Sequence, residues 1–199
     1  MPAPSPALAP GWAGHLVRLL GSAAATDRQG RSLDQDAAFG LARAAILDIR
    51  RAGRKVMVVG NGGSATLSSH LQTDLCSGLG VRALVFTEPA MLTAQANDHG
   101  YDQAFANQVD LWADPGDLLV AISSSGRSPN ILHACARARA RRTRILTFSG
   151  FRADNPLRAL GDLNFHLASC EYGPVESGHG VLIHHLTDLV LERVSGTAP

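Results

Sequence analysis

The chain has 199 residues and a formal net charge of +1, and this length is typical of one domain of ordinary size. Hydrophobic residues make up 45% of the chain and charged residues 18%, which predicts a soluble globule and argues against a disordered chain. The balanced charge argues against nucleic acid or an anionic membrane as a partner, because both demand a strongly basic surface. Only Lys55 of the 18 basic residues is a lysine, which leaves one candidate for Schiff-base chemistry.

The first 53 residues predict a leader and two helices. Residues 1–10 are rich in proline and alanine and lack the charged and apolar regions of a signal peptide, so we expect a loose leader. The predicted helices span 12–26 and 33–53, the second with Ser32 as its N-cap and Gly53 as its stop. Their apolar faces could cover the core or another subunit, and periodicity leaves both possibilities open.

Location follows from what the sequence lacks. No apolar run approaches the ~20 residues of a membrane span. The three scattered cysteines form no CxxC pair, which argues against a disulfide framework and against a thiolate zinc site. We therefore expect a cytoplasmic protein.

From residue 55 onward, short apolar runs alternate with helical stretches. The predicted strands are 55–59, 82–86, 117–122, 144–149 and 163–168, and the predicted helices between and after them are 64–77, 102–112, 128–140 and 175–194. Continuous apolar strands that alternate with helices are typical of parallel sheets covered on both faces. We therefore predict an α/β fold with a five-stranded parallel sheet flanked by helices, and with the N-terminal helices ahead of the first strand.

Two loops rich in glycine and serine follow the first and third predicted strands at their carboxyl ends, where parallel sheets bind ligands. They read GNGGS over residues 60–64 and SSSGRS over residues 123–128, and each opens a predicted helix. Glycine admits a ligand close to the backbone, helix N-termini attract anions, and serine hydroxyls donate to phosphate oxygens. The nucleotide motifs GxGxxG and GxxxxGK[ST] are absent from these loops. Either loop alone could be an ordinary turn, but the two together predict a phosphate site.

Histidines and carboxylates on two predicted helices suggest a metal or acid–base site. His70 and Asp74 lie four residues apart, and so on one face of the helix that the first loop opens. On the last helix, His184 follows Glu176 by two turns and lies about 80° round the helix from it. These ligand types suit zinc. A lone histidine is commonly a packed or surface residue, so the residues alone leave both interpretations open.

Four motifs in order carry a specific resemblance. They are GNGGSxxxxxH from residue 60, LTAQANDHGYDQAFANQV over 92–109, PGDLLVAISSSGRSPNIL over 115–132 and ESGHGVLIHHL over 176–186. Over about residues 33–195, the chain resembles the sugar isomerase (SIS) fold and, within it, the phosphoheptose isomerase family. The resemblance implies a cytoplasmic homotetramer with zinc in active sites formed between subunits. It also implies an SIS domain over 54–197 and a role in oligomerisation for the helices of 11–53.

The resemblance implies roles for individual residues. The positions that match substrate and phosphate contacts are Asn61, Gly62, Gly63, Ser64, Asp98, Ser123, Ser124, Ser125 and Ser128. The positions that match zinc ligands are His70, Asp74, Glu176 and His184, of which Asp74 and His184 would also serve as acid and base. Asp74 stands where the family usually has glutamate, and Glu176 where it usually has glutamine. The first is shorter by one methylene and the second adds a negative charge, yet the four still form a chemically complete zinc site.

The reaction that the resemblance implies converts sedoheptulose 7-phosphate into D-glycero-D-manno-heptose 7-phosphate. It moves a proton between C1 and C2 through an enediol, which needs a base, an acid and stabilisation of the oxyanion. One alternative is an isomerase of another seven- or eight-carbon ketose phosphate in natural-product or surface-sugar biosynthesis. A second alternative is a non-catalytic SIS module that binds a sugar phosphate or a protein partner. His184 favours an enzyme, because a non-enzymatic relative lacks histidine there.

Overall fold

The structure, a computed structural model, describes residues 10–196, so the leader predicted for residues 1–10 lies outside it except for Pro10. The helices are α1 Pro10–Gly21, α2 Gln35–Arg51, α3 Gly63–Thr73, α4 Pro89–His99, α5 Ala104–Trp112, α6 Pro129–Ala140 and α7 Tyr172–Ser195. The strands are β1 Ala24–Asp27, β2 Ser32–Leu33, β3 Lys55–Gly60, β4 Arg82–Val85, β5 Leu118–Ser123, β6 Arg144–Gly150 and β7 Leu163–Leu167. A π-helical turn, Asp74–Gly78, continues α3, and a 3-10 turn, Pro156–Ala159, precedes β7.

The seven strands of residues 10–196 form one sheet, in the order β2-β1-β7-β6-β5-β3-β4. The five strands β3 to β7 are parallel to one another and correspond to the five predicted strands. β1 pairs antiparallel with β7, and β2 pairs antiparallel with β1. The α/β class is thus confirmed, and the parallel sheet is extended at one edge by a short hairpin from the N-terminal region.

The helix predicted over 12–26 is wrong at its C-terminal end, where the first strand of that hairpin begins. α1 ends at Gly21, and residues 24–27 form β1. The alanines at 24 and 25 favour a helix, but residues 24–27 pair with 163–166 of β7. The turn between β1 and β2 is held by nearby residues, because the Asp27 carboxylate accepts from the backbone N–H of Gln29 and of Arg31. Long-range pairing therefore overrides local propensity here.

Two further boundaries differ from prediction. The N-cap of α2 is Asp34, whose carboxylate accepts from the N–H groups of Asp36 and Ala37, whereas the predicted cap, Ser32, lies in β2. An aspartate at this position satisfies the free donors of the first turn. The helix α4 was not predicted, because all of its residues are at least partly exposed and it lacks an apolar stripe.

The helices cover both faces of the sheet. Successive strand residues point to opposite faces, so Val56 and Val58 join the core under α1, α2, α3 and α7. Met57 and Val59 join the core under α5 and α6, and α4 packs on α5. Strands buried on both faces explain the continuous apolar runs of the sequence. Among the described residues, no helix is both long and apolar enough to cross a membrane.

The sheet topology brings the two predicted loops together. β3 lies between β4 and β5, with Gly60 paired to Ile122. The chain leaves β3 for β4 on one side and returns to β5 on the other, which makes a topological switch point. Because parallel neighbours end at one edge of the sheet, the loops after β3 and β5 emerge side by side.

Candidate functional site

The loop after β3 is tightly packed and depends on its glycines. A Cβ at Gly60 would lie 2.5 Å from the carbonyl oxygen of Ser64, so any other residue would push α3 away from the strand. Gly62 has a φ of 52°, a backbone conformation that favours glycine. The turn closes through the Ser64 N–H, which donates to the Asn61 carbonyl oxygen at 2.9 Å. The loop thus delivers the N-terminus of α3 directly to the sheet edge.

The loop after β5 has a similar construction. Gly126 has a φ of 63°, and a Cβ there would collide with the Asn155 side chain. Two serines shape the turn, since Ser123 Oγ accepts from the N–H of Gly126 and Ser125 Oγ from that of Arg127. Ser128 precedes α6 as its N-cap, but within the described part of the chain its side chain makes no capping bond. Its hydroxyl is therefore available to a ligand.

The two loops enclose a cleft of about 200 Å³, which we call the cradle. It is lined by Asn61, Gly62, Gly63, Ser64, Ser123, Ser124, Ser125, Ser128, Tyr172 and Glu176. The Ser124 hydroxyl is buried and makes no hydrogen bond within residues 10–196. A concave site with backbone N–H groups and free hydroxyls at a helix N-terminus suits a phosphate. The structure brings together every residue predicted for this site except Asp98.

Asp98 lies elsewhere. It is exposed on α4, where its carboxylate accepts a hydrogen bond from the Asn97 side chain at 2.8 Å. It is not among the residues that line the cradle. Within a single chain, the structure therefore leaves Asp98 apart from the other predicted substrate contacts.

A second group of side chains could hold a metal. Donor atoms of His70, Asp74 and His184 all lie within 4.8 Å of one another. Asp74 Oδ2 is 3.5 Å from His70 Nε2 and 3.8 Å from His184 Nδ1, and it is a buried oxygen that accepts no hydrogen bond from the described residues. A buried acceptor without a donor, beside two imidazoles, is a ligand set that zinc takes. We call these three residues the His–Asp cluster.

The cluster is built by a local change of helix type. Asp74 begins the π-helical turn that continues α3, and such turns are frequent at functional sites. The cluster opens on a cleft of about 210 Å³ between this turn and α7. The side chains of His70 and His184 are 48% and 55% exposed, so within one chain the cluster stands open to solvent.

Glu176 lies with the cradle and outside the His–Asp cluster. A Cβ at Gly63 would come within 2.5 Å of Glu176 Oε2, so its carboxylate rests on the first turn of α3. A negative group is stabilised at a helix N-terminus. The structure thus brings together three of the four predicted metal ligands and places the fourth at the cradle.

The helices α3 and α7 run parallel and connect the two sites. Gly63 contacts Glu176 at their N-terminal ends, a Cβ on Gly180 would contact Leu67 one turn further on, and the His70 and His184 rings lie 4.7 Å apart beyond that. From Glu176 to His184 the helix rises about 12 Å. One pair of helices therefore presents the cradle at one end and the His–Asp cluster two turns away.

Tyr172 is a cradle residue that sequence reasoning missed. It is the first residue of α7, is 60% exposed, and packs edge-on against Phe151 with ring centroids 4.9 Å apart. Phe151 follows β6 with a φ of 60°, an unusual conformation for an aromatic residue. No local signal marks Tyr172, because β6 and α7 meet only in the tertiary structure.

Two buried histidines lie behind the cradle and are not part of it. His179 Nε2 donates to the Ser149 carbonyl oxygen at 3.1 Å, and His166 Nδ1 lies 3.2 Å from Ser149 Oγ. Burial lowers the pKa of His179 to about 4, although its bond to Ser149 opposes the shift. Burial, together with the charge of Arg158, also lowers the pKa of His166 to about 4. Both rings are therefore neutral structural groups near pH 7.

Comparisons with known proteins identify the family of the chain. The SIS domain family matches residues 24–150. The phosphoheptose isomerase of Geobacter sulfurreducens is 36% identical over 156 residues, which cover 75% of this chain and 82% of that protein. Among solved structures, the phosphoheptose isomerase of Neisseria gonorrhoeae has a TM-score of 0.73 at 28% identity, covering 77% of this chain and 86% of that one. The Francisella tularensis phosphoheptose isomerase has a TM-score of 0.77 at 24% identity, covering 90% and 92%, which is evidence of the fold alone.

Proposed function

The chain belongs to the SIS domain family and, within it, to the phosphoheptose isomerases. Because of this membership, we propose that it interconverts sedoheptulose 7-phosphate and D-glycero-D-manno-heptose 7-phosphate. That it is a sugar-phosphate isomerase follows from the family itself. The identity of the sugar and the use of zinc are our proposal. The cytoplasmic location stays a prediction.

One observation carries the proposal, namely the placement of an anion cradle and a His–Asp cluster along the same two parallel helices. The cradle offers serine hydroxyls and the N-terminus of α3 to a phosphate. The cluster lies about two turns further along α7. A long ketose phosphate carries its phosphate at one end and its carbonyl at the other. It is therefore a class of ligand whose phosphate could bind the cradle while its carbonyl lies at the His–Asp cluster. Binding energy at the phosphate would then orient the reacting end.

The chain's own residues account for the proton transfers. Asp74, whose Oδ2 is buried and accepts no hydrogen bond from residues 10–196, takes the proton from the carbon next to the carbonyl and returns it to the former carbonyl carbon. His184 exchanges the proton on the sugar oxygen. His70, Asp74 and His184 would hold zinc, which supplies Lewis-acid polarisation of the carbonyl when bound. Lys55 lies at the other edge of the sheet, in ion pairs with Asp114 and Asp117, which argues against an imine route.

The roles of Glu176, Asp98 and a homotetramer belong to the same proposal. A neighbouring subunit over the His–Asp cluster would exclude water from an enediol, and the exposure of His70 and His184 in one chain supports this. Asp98 would reach the active site of a neighbouring subunit from α4. Glu176 would become the fourth ligand only by swinging from Gly63 towards the cluster.

The direct test follows sedoheptulose 7-phosphate by NMR after addition of the purified protein. We expect the aldose phosphate to appear. Conversion of an eight-carbon ketose phosphate in its place would support the alternative isomerase. Without conversion of either, the proposed reaction would be wrong, and a sugar-phosphate or protein-binding module would become the better interpretation.

Replacing Asp74 by asparagine separates catalysis from binding. Asp74→Asn removes the base, so we expect turnover to fall by about 10² to 10⁴-fold. Binding of inorganic phosphate, measured by calorimetry, should be retained because the cradle does not include this residue. The matched control is Asp36→Asn on the exposed first turn of α2, which should keep full turnover. Full activity of Asp74→Asn would overturn the assignment of the base.

A further inference from the structure

A pair of amides, one half-buried and one buried, joins the two loops of the cradle. Asn61 follows β3, and Asn130 lies in the first turn of α6 after β5. Asn61 Nδ2 donates to Asn130 Oδ1 at 2.9 Å, and Asn130 Nδ2 donates to Asn61 Oδ1 at 2.9 Å. Asn130 is only 2% exposed. The two bonds form a closed ring that ties one loop directly to the other.

A backbone group decides which way round both amides lie. The N–H of Ile131 donates to Asn130 Oδ1 at 3.0 Å, and a backbone N–H can only donate. The oxygen of Asn130 must therefore face that N–H and the Asn61 amide nitrogen, and its own nitrogen must meet the Asn61 oxygen. Turning either amide over would set donor against donor.

Tyr101 adds a third side chain to the amide pair of Asn61 and Asn130. Its hydroxyl donates to Asn61 Oδ1 at 2.9 Å, while its ring packs 6.3 Å from that of the buried Phe105. Asn61 Oδ1 thus accepts two hydrogen bonds, and its amide nitrogen has one N–H without a partner among residues 10–196. Asn61 lines the cradle, whereas Asn130 and Tyr101 do not.

We infer that Asn130 and Tyr101 are positioning residues of the cradle, which act through Asn61. They hold the Asn61 amide in one orientation, with its remaining N–H free for a ligand oxygen, and they keep the two loops at one separation. A cradle already held in this way loses less entropy when it binds a phosphate. The inference deepens the proposed function, because the phosphate is that of the proposed sugar substrate.

A double-mutant cycle tests the inference, with inorganic phosphate as the calorimetric probe. Tyr101→Phe removes one hydroxyl and keeps the ring, so we expect phosphate affinity to fall about threefold to tenfold, as for the loss of one hydrogen bond. In an Asn61→Ala background the same change should have no effect, because Tyr101 acts only through Asn61. An equal loss in both backgrounds, or no loss in either, would overturn the inference.

Asn130→Asp tests the amide pair itself. The carboxylate still accepts from Ile131 but sets an acceptor against Asn61 Oδ1, so we expect at least a tenfold loss of phosphate affinity, more than the roughly fivefold that its added charge alone would cost. The matched control is Asn107→Asp, which changes a similar amide bond to Gln95 between α5 and α4 and should leave affinity unchanged. Unchanged affinity in folded Asn130→Asp would contradict the inference, and if this variant fails to fold, the Tyr101 cycle decides alone.

The outcomes also separate this inference from the proposed function. Phosphate binding with the expected coupling, but without turnover of sedoheptulose 7-phosphate, would keep the positioning role and overturn the substrate. Turnover of that sugar without coupling between Tyr101 and Asn61 would support the proposed substrate and overturn the positioning role.

Discussion

At the scale of single residues, Asp74 and Glu176, where the resemblance implies departures from the family pattern, lie in different surroundings. Asp74 stays in the His–Asp cluster, where its Oδ2 lies 3.5 Å from His70 and 3.8 Å from His184. Glu176 rests against Gly63 and lines the cradle. A carboxylate at the cradle faces any bound phosphate with a like charge. We therefore expect Glu176 to weaken phosphate binding in the metal-free protein.

Replacing Glu176 by glutamine tests this repulsion. Glu176→Gln removes the charge and keeps the shape, so we expect inorganic phosphate to bind up to roughly fivefold more tightly, since like charges 4 Å apart in water cost about 1 kcal/mol. Calorimetry at low salt measures the change. Glu171→Gln, on the exposed N-cap of α7 and outside the cradle, is the matched control and should shift affinity less. Weaker phosphate binding in Glu176→Gln would instead show that Glu176 assists the ligand.

At the scale of elements, β3 is anchored at the end opposite the cradle. Lys55 Nζ lies 2.6 Å from both Asp114 Oδ2 and Asp117 Oδ2, and Asp117 is fully buried. Burial alone would lower the pKa of Lys55, but hydrogen bonds and charges from the two aspartates raise it above its usual value. The hydrogen bond and charge of Lys55 in turn lower the pKa of Asp114. The one lysine of the chain is thus a structural cation that joins β3 to the loop before β5.

Removing that cation should destabilise the sheet without touching the site. Lys55→Met leaves the buried Asp117 carboxylate without its cation, so we expect the free energy of unfolding to fall by about 3 to 5 kcal/mol. Arg51→Met breaks an exposed pair with Asp48 and should cost at most about 1 kcal/mol. Urea unfolding compares the two variants. A similar loss in both would show that burial gives the Lys55 pairs no special importance.

At the scale of the whole molecule, two neutral histidines join the last helix to the sheet. His179 on α7 donates to Ser149 on β6, and His166 on β7 lies beside the same serine. Their pKa values of about 4 lie below the ordinary value of 6.5. Between those values the unfolded chain binds protons that the folded chain does not, so stability decreases as pH falls.

Acid titration of stability tests this dependence. Stability should be fully present above about pH 6.5 and should fall between pH 6.5 and 4, by about 1.4 kcal/mol per pH unit for each buried histidine. His179→Gln should reduce the slope by one histidine's contribution, whereas His99→Gln, at an exposed position on α4, should leave it unchanged. Urea unfolding at several pH values measures the slope. Equal slopes in wild type and His179→Gln would contradict the buried neutral state.

Much of the fold and of the cradle could be read from local pattern. Each of the five parallel strands is an apolar run, because a strand covered on both faces needs no polar residues. Glycine and serine mark the loops at 60–64 and 123–128 in the sequence, because their backbones must turn sharply at helix N-termini. His70 and Asp74 share a helix face, and their spacing alone placed them together.

Local sequence patterns therefore predicted the α/β class, the five parallel strands, the family and the two loops rich in glycine and serine. Other features appear only in the folded chain: residues 24–27 join the sheet, Glu176 rests on Gly63, and Asn61 is hydrogen-bonded to Asn130 and Tyr101. The difference lies in how far apart along the chain the interacting residues are. Helix faces, strands and glycine turns depend on residues a few positions apart, whereas these contacts join residues 40 to 142 positions apart in the chain and depend on the packed sheet.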